Sequence, residues 1–276
     1  MNFHRPLVMG VLNVTPDSFS DGGQFNDIDA ALDHARVLQI AGVDIIDVGG
    51  ESTRPGAARV TPEEEQGRVI PVIRALVDQL GARVSIDTMN SSTALAGVEA
   101  GASIINDVSG GLADDQMFAV AARTGATLVI SHWRGFSDVM DTQNAYNDIA
   151  VDVAAELKQR VDAALEAGVQ PEQIVIDPGL GFAKDMKQNW QLVARLDQLE
   201  TLGYPILVGA SRKRFIAGVL DAEDSASVSN DRRDIATAVL TALLLQRKLW
   251  GLRVHNVLAT NDAISVVAAL REAEQS

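Results

Sequence analysis

Eight short apolar runs recur along the chain, separated by longer stretches of helical period. The runs are 7–15 (LVMGVLNVT), 44–50 (DIIDVGG), 83–88 (RVSIDT), 103–110 (SIINDVSG), 127–133 (TLVISHW), 174–179 (IVIDPG), 205–211 (PILVGAS) and 252–257 (LRVHNV). Near-continuous apolar runs of this length read as strands buried on both faces. Between them the spacing predicts helices over 27–41, 63–80, 91–100, 113–124, 144–168, 187–202, 231–250 and 259–273, with a short one possible in 212–220. Thr61-Pro62 ahead of Glu63 to Glu65 supplies a cap, a first-turn proline and carboxylates at the positive helix end. Eight strand–helix units in 276 residues fit an α/β chain folded as a single (β/α)₈ TIM barrel over 1–276. The rival doubly wound sheet usually carries G-x-G-x-x-G after its first strand, and here that loop reads NVTPDSFSDGG. No linker composition divides the chain, and at 47% hydrophobic residues it can bury a core of this size.

The formal net charge of −14 argues against general affinity for nucleic acid or an anionic membrane, and suits a cytoplasmic protein. An anionic ligand would need a local cluster of cations. Cys is absent, which removes disulfides, thiolate metal sites and cysteine nucleophiles together. The N-terminal apolar run stops at Asn13 and reads as a strand, not a signal peptide. No window approaches the roughly 18 apolar residues of a membrane helix. The stretch 235–246 (IATAVLTALLLQ) is apolar almost all round, so one of its faces is expected to pack against a second copy.

Nearly every predicted strand ends in a polar residue: Asn13, Asp47, Asp87, Asn106-Asp107, His132, Asp177, Ser211 with Lys213, and Arg253 with His255. Any one of these alone would more often be a helix cap or a solvated strand end. Together they line one mouth of a barrel, where barrel active sites are built. Side-chain alternation puts Ser211 and Lys213 on one side and Arg212 on the other, and pairs Arg253 with His255 while Asn256 faces away. Lys213, Arg253 and His255 then meet at strands seven and eight, where barrels commonly hold phosphate. The triplet Arg212-Lys213-Arg214 would thus direct Lys213 to a ligand, with Arg212 and Arg214 at the surface or on phosphate. Asp87, Asn106 and Asp177 suit a heterocycle with several N–H donors. His132 reads first as a satisfied strand-end histidine. Trp190 and Trp250 read as packing, and His4, His34, Arg68, Arg74 and Arg83 as surface residues.

The segments MGVLNVTPDSFSDGG (9–23), DVGGESTRPGA (47–57), SIDT (85–88), INDVSGG (105–111), DPGLGFAK (177–184), GASRK (209–213) and RVH (253–255) resemble the dihydropteroate synthase family of the folate pathway, in family order along most of the chain. The resemblance implies a pterin-binding barrel that joins p-aminobenzoate to 6-hydroxymethyl-7,8-dihydropterin diphosphate and releases pyrophosphate. It assigns Asp87, Asn106, Asp177 and Lys213 to the pterin, walled by Gly181, Phe182 and Trp133. Asp87, Asp177 and Lys213 carry the catalytic charges. It assigns Asn13, Arg253 and His255 to the diphosphate, with Mg²⁺ beside Asn13. Phe19, Asp21, Thr53, Arg54, Pro55, Ser211 and Lys213 border the p-aminobenzoate site, where sulfonamides would compete, and loops carrying Asp17, Asp21 and STRPG would close over it. A homodimer is implied, as is a stand-alone synthase. The chain departs from the family at Trp133, where many members have Met, at Asn256, where they read RVHD, and in RRDIATA, where Arg233 aligns loosely with a family arginine. A corrinoid-dependent methyltransferase shares the barrel but would not need DPGLGFAK, GASRK and a diphosphate end. A paralogue that binds pterin or phosphate without turnover would be expected to lose Asn13, Lys213 or Arg253, and all three are kept.

Overall fold

The computed structural model describes residues 5–14, 24–51, 60–136 and 142–274. Its strands are β1 (Leu7–Asn13), β2 (Ile45–Gly49), β3 (Val84–Asp87), β4 (Ile104–Asp107), β5 (Thr127–Ser131), β6 (Ile174–Asp177), β7 (Leu207–Val208) and β8 (Gly251–Val254). Between and after them run α1 (Gln24–Ile40), α2 (Pro62–Leu80), α3 (Ser91–Glu99), α4 (Met117–Thr124), α5 (Ile149–Glu166), α6 (Met186–Ala194), α7 (Asp197–Glu200), α8 (Arg214–Leu220), α9 (Asn230–Leu244) and α10 (Val257–Glu274). The strands are all parallel in the order β6-β5-β4-β3-β2-β1-β8-β7, and a parallel bridge between Ile176 and Ile206 brings the two ends of that order together. This is the (β/α)₈ barrel expected from the spacing of the apolar runs.

Two apolar layers hold it. Inside the ring, Met9, Ile45, Ile104, Val129, Val175 and Leu207 are buried together, closed off by Leu7 and Trp250. Between strands and helices lies the larger cluster, including Ile46, Val48, Ile86, Ile105 and Leu128. Strand alternation dictates what stands above the inner layer: residues two positions further along face the same way. Those are Asp47 after Ile45, Asn106 after Ile104, Asp177 after Val175 and Gly209 after Leu207. The register sets Asn13, Gly49, Asp87 and Asn106 side by side across β1 to β4. A dry plug thus fills the barrel floor, and a polar ring lies one layer above it.

Local signals account for the helix ends. Thr61 Oγ1 accepts from the Glu64 N–H at 3.2 Å, Pro62 opens α2, and Gly81 closes it in the left-handed region at φ +58°. The helix expected over 144–168 begins only at Ile149, because Asp148 caps it through the N–H groups of Ala150 and Val151. The stretch 187–202 divides into α6 and α7 where Arg195 leaves helical geometry (φ −118°, ψ +35°). The helix expected to reach 250 stops at Leu244, leaving 245–250 to turn into β8.

Candidate active site

Arg253 lies at the centre of the polar ring. Its Nε donates to Asp47 Oδ2 and its Nη2 to Asp87 Oδ2, both at 2.6 Å. Asn106 Nδ2 donates to the same Asp47 oxygen at 3.1 Å, while Asp47 Oδ1, fully buried, has no partner in the protein. Gly209 lies against the same network: a Cβ there would stand in ordinary contact with Asp177 Oδ2 at 3.6 Å and Arg253 Cβ at 3.7 Å. The carboxylates read as a heterocycle site and the arginine read as a phosphate contact therefore form one network. Asp47, seen in the sequence only as a polar strand end, is its deepest member. The signal that could have found it is its alternation with Ile45 at a fully apolar depth.

Lys213 joins the network by a different route from strand alternation. β7 ends at Val208, and the chain turns through Arg212, whose φ of +58° is left-handed. Lys213 then caps the N-terminus of α8, donates to the Leu180 carbonyl and lies 4.6 Å above the Phe182 ring. A Cβ on Gly181 would approach Lys213 Cδ to 2.9 Å, so glycine is what lets that loop lie against the lysine. Asp177 accepts from the Gly179 N–H at 2.6 Å and interacts electrostatically with Lys213, Arg253 and Lys184.

The charges compete within a largely buried volume. Burial pushes Asp87 up to about 7, against the pull of Arg253 and with repulsion from Asp47, Glu65 and Asp107. Asp177 is raised by burial as well, opposed chiefly by Lys213. Burial lowers Lys213 to about 8, with Asp177 opposing. Burial disfavours the charge on Arg253, but Asp47 and Asp87 outweigh it and hold the guanidinium protonated well above its ordinary range.

His255 Nδ1 lies 3.0 Å from Ser211 Oγ, which also accepts the His255 backbone N–H at 3.1 Å. Asn13 ends β1 with its side-chain oxygen 3.7 Å from where a Cβ on Gly49 would stand, on the register line that leads to Asp87. Trp133 stacks edge-to-face on Phe136 at 4.9 Å, and among the described contacts none joins it to the carboxylates. Phe19, Asp21, Thr53, Arg54 and Pro55, with Asp17, lie outside the described residues.

Behind the β5 and β6 ends, His132 is buried between Glu156 (Nε2 to Oε2, 3.0 Å) and Lys184 (Nδ1 to Nζ, 2.8 Å). It is a satisfied strand-end histidine, as the sequence suggested. Lys184, which sequence reasoning left without a role, also donates to the carbonyls of Gly179 and Phe182, pinning the loop that faces Lys213. Arg68 is more than a surface charge, since it donates to the Gly50 carbonyl at 2.9 Å where β2 exits. Trp190 packs on Phe215 and Trp250 on the barrel floor. Arg233 ties down its own loop through the carbonyls of Val228 and Ser225.

The sequence pattern of the family described as pterin binding enzyme matches residues 9–255. A dihydropteroate synthase of Mycobacterium leprae is 48% identical over 263 residues, covering 95% of this chain and 92% of that one. Among solved structures, the dihydropteroate synthase of Clostridium difficile, studied in the presence of pteroic acid, superposes with a TM-score of 0.89 at 40% identity, covering 97% of each chain. That of Xanthomonas albilineans with 4-aminobenzoic acid gives 0.88 at 41% identity, covering 98% of this chain and 95% of that one. With the match running from β1 to just past β8 across the carboxylate–arginine network, the chain belongs to the pterin-binding enzymes and, within them, to the dihydropteroate synthases.

Proposed function

We propose that the cleft condenses p-aminobenzoate with 6-hydroxymethyl-7,8-dihydropterin diphosphate, giving 7,8-dihydropteroate and pyrophosphate. The observation that carries this reading is the single network in which Arg253 bridges Asp47 and Asp87 beside Asn106, Asp177 and Lys213. Carboxylates and an amide accept and donate along the edge of a flat, N–H-rich ring, and Lys213 and Arg253 supply the positive charge that a diphosphate tail requires. The carbon–oxygen bond breaks with its electron pair leaving on the diphosphate. The aniline nitrogen bonds to the methylene carbon and then loses its proton. Positive charge developing on the methylene spreads into the pterin ring, where Asp87 and Asp177 stabilise it electrostatically. The aniline nitrogen needs no activating base, which fits a cleft built of charges and not of a nucleophile–base pair.

Mg²⁺ fits the donor set. Among the described residues no group of three His, Asp, Glu or Cys could hold a metal, and Asn13 offers one amide oxygen at the mouth. A single protein oxygen with the diphosphate and water as remaining ligands is the usual manner of Mg²⁺. When bound, the ion supplies charge neutralisation to the leaving pyrophosphate.

Purified chain mixed with both substrates and Mg²⁺ should release pyrophosphate and lose that activity on chelation. Silence beside an active reference enzyme would favour the non-catalytic paralogue instead. Fluorine placed near the reacting methylene should slow a dissociative route; an unchanged rate would exclude it. Sulfonamides should compete with p-aminobenzoate in the same assay.

The assembly we infer is a homodimer through α9 and α10. Ile235, Val239 and Leu243 recur every fourth residue on α9 and are 57–66% exposed, beside Leu258, Val266 and Leu270 on α10. Val239→Glu with Leu243→Glu should convert the sedimenting species from dimer to monomer, and an unaltered profile would reject this face.

A further inference from the structure

Asp234, in the second turn of α9, is 5% exposed, and among the described hydrogen bonds none joins it to a residue assigned to substrate. Its carboxylate receives both arms of Arg212, Nε to Oδ1 and Nη2 to Oδ2, each at 2.7 Å. Arg212 is one of two non-glycine residues in the left-handed region among the described residues, the other being Ala183. Side chains of ordinary L-residues resist that conformation, so it persists where the surroundings enforce it. Here three residues of α9 enforce it together. Asp234 takes the guanidinium, Thr237 Oγ1 accepts the Arg212 N–H at 3.4 Å, and Arg233 Nη1 donates to the Arg212 carbonyl at 3.3 Å. The next residue is Lys213, turned by this bend onto Leu180 and Phe182 at the cleft. The same carboxylate also receives Asn256 Nδ2 at 3.4 Å, and Asn256 directly follows His255. A neutral amide suits that place, since a carboxylate at 256 would face Asp234 with like charge.

We propose that Asp234 is a positioning residue: by clamping Arg212 in a left-handed turn and holding Asn256, it presents Lys213 and His255 to the cleft at fixed geometry. The ordinary reading of a buried ion pair, that it holds a helix to the barrel, predicts lost stability with the surviving molecules unimpaired. The clamp predicts misplaced cations in molecules that are still folded. The proposal rests on the reaction above for its kinetic readout alone.

The test compares Asp234→Ala in three backgrounds: alone, with Arg212→Gly and with Arg212→Ala. Two quantities are read per folded molecule, kcat/KM and the Kd for pteroic acid by calorimetry. Asp234→Ala alone should lower kcat/KM by about 10- to 100-fold, as expected when a charged group is displaced by an ångström or less, and weaken pteroic acid in parallel. Glycine adopts the left-handed turn without support, so Asp234→Ala/Arg212→Gly should recover most of the loss, the remainder reflecting the released Asn256, and Asp234→Ala/Arg212→Ala should not recover. Equal values for the two double variants, or a loss of melting temperature with both readouts unchanged, would overturn the proposal. Should Asp234→Ala fail to fold, Arg212→Gly and Arg212→Ala in the unaltered chain carry the same comparison, and equality between them again overturns it. Wild type that binds pteroic acid but releases no pyrophosphate would defeat the reaction and leave the ranking of Kd values to decide the role of Asp234.

Discussion

At the scale of single residues, Lys213 and Asp87 hold opposite charges that burial works to remove from both. Burial raises Asp87 to about 7 and lowers Lys213 to about 8, so the two are jointly charged over a narrow interval. The profile of kcat/KM against pH should therefore be a bell, rising through about 7 as Asp87 ionises and falling above about 8 as Lys213 loses its proton. A plateau extending unbroken from pH 6 to 9 would show that neither group controls the step. Lys213→Ala should cut kcat/KM by on the order of 10²–10³, the usual cost of one preorganised donor. It should move the melting temperature little, because the lysine packs on a loop and not in either apolar layer. A loss of stability on the scale of a core deletion would mean the side chain is structural. The types and positions of these two residues were legible from the sequence. Their mutual approach was not, and the alternation that nominated Lys213 does not reach it, since β7 ends five residues earlier.

At the scale of elements, the turn between β6 and α6 carries the demands of the site. Gly179 has φ +63°, and a Cβ there would fall 2.0 Å from the His132 carbonyl oxygen. Backbone on backbone cannot give way, so Gly179→Ala should separate the β5 and β6 ends. It should lower kcat and stability together, the latter by about 2 kcal/mol or more, and a variant with wild-type melting and kinetics would contradict the packing. Lys184 strengthens the same turn from beneath, where burial lowers its pKa well below the lysine range. In the sequence this turn was readable as a motif, while its reason was hidden. A glycine demanded by a neighbouring strand's carbonyl looks the same, in one dimension, as a glycine in a loose loop. The strand ends show a similar limit, with apolar runs written to 133, 179, 211 and 257 but sheet pairing that stops two to three residues earlier.

For the whole molecule, pH acts on stability through buried groups that pull in opposite senses. His132 is lowered from 6.5 to about 4, by burial first and by Lys184 next, so its contribution is present above 6.5 and is lost as pH falls toward 4. Asp87 is raised from 3.8 to about 7, so its contribution is present below 3.8 and is lost as pH rises toward 7. Between pH 4 and 6.5 the His132 and Asp87 slopes oppose, with Asp107 and Asp177, also raised by burial, acting in the same sense as Asp87. Asp87→Asn removes one of the contributions that offset His132, so as pH drops from 6.5 to 4 the variant's melting temperature should fall more, or rise less, than that of the wild-type ligand-free chain. Identical curves for the variant and wild type would show that these groups do not govern acid stability.

Periodicity alone determined the barrel, because strands buried on both faces have to be apolar along their length and helices between them have to repeat at their own period. The motifs determined the family and most of the charged groups in the mouth. Which of those charges meet was settled in three dimensions: Arg253 spans Asp47 and Asp87, Arg212 turns outward to Asp234, and Lys184 holds the Gly179–Phe182 loop from beneath. Residue type and local spacing are written in the chain, but an ion pair between positions 47 and 253 depends on the closure of a ring, and ring closure is a property of all eight strands at once.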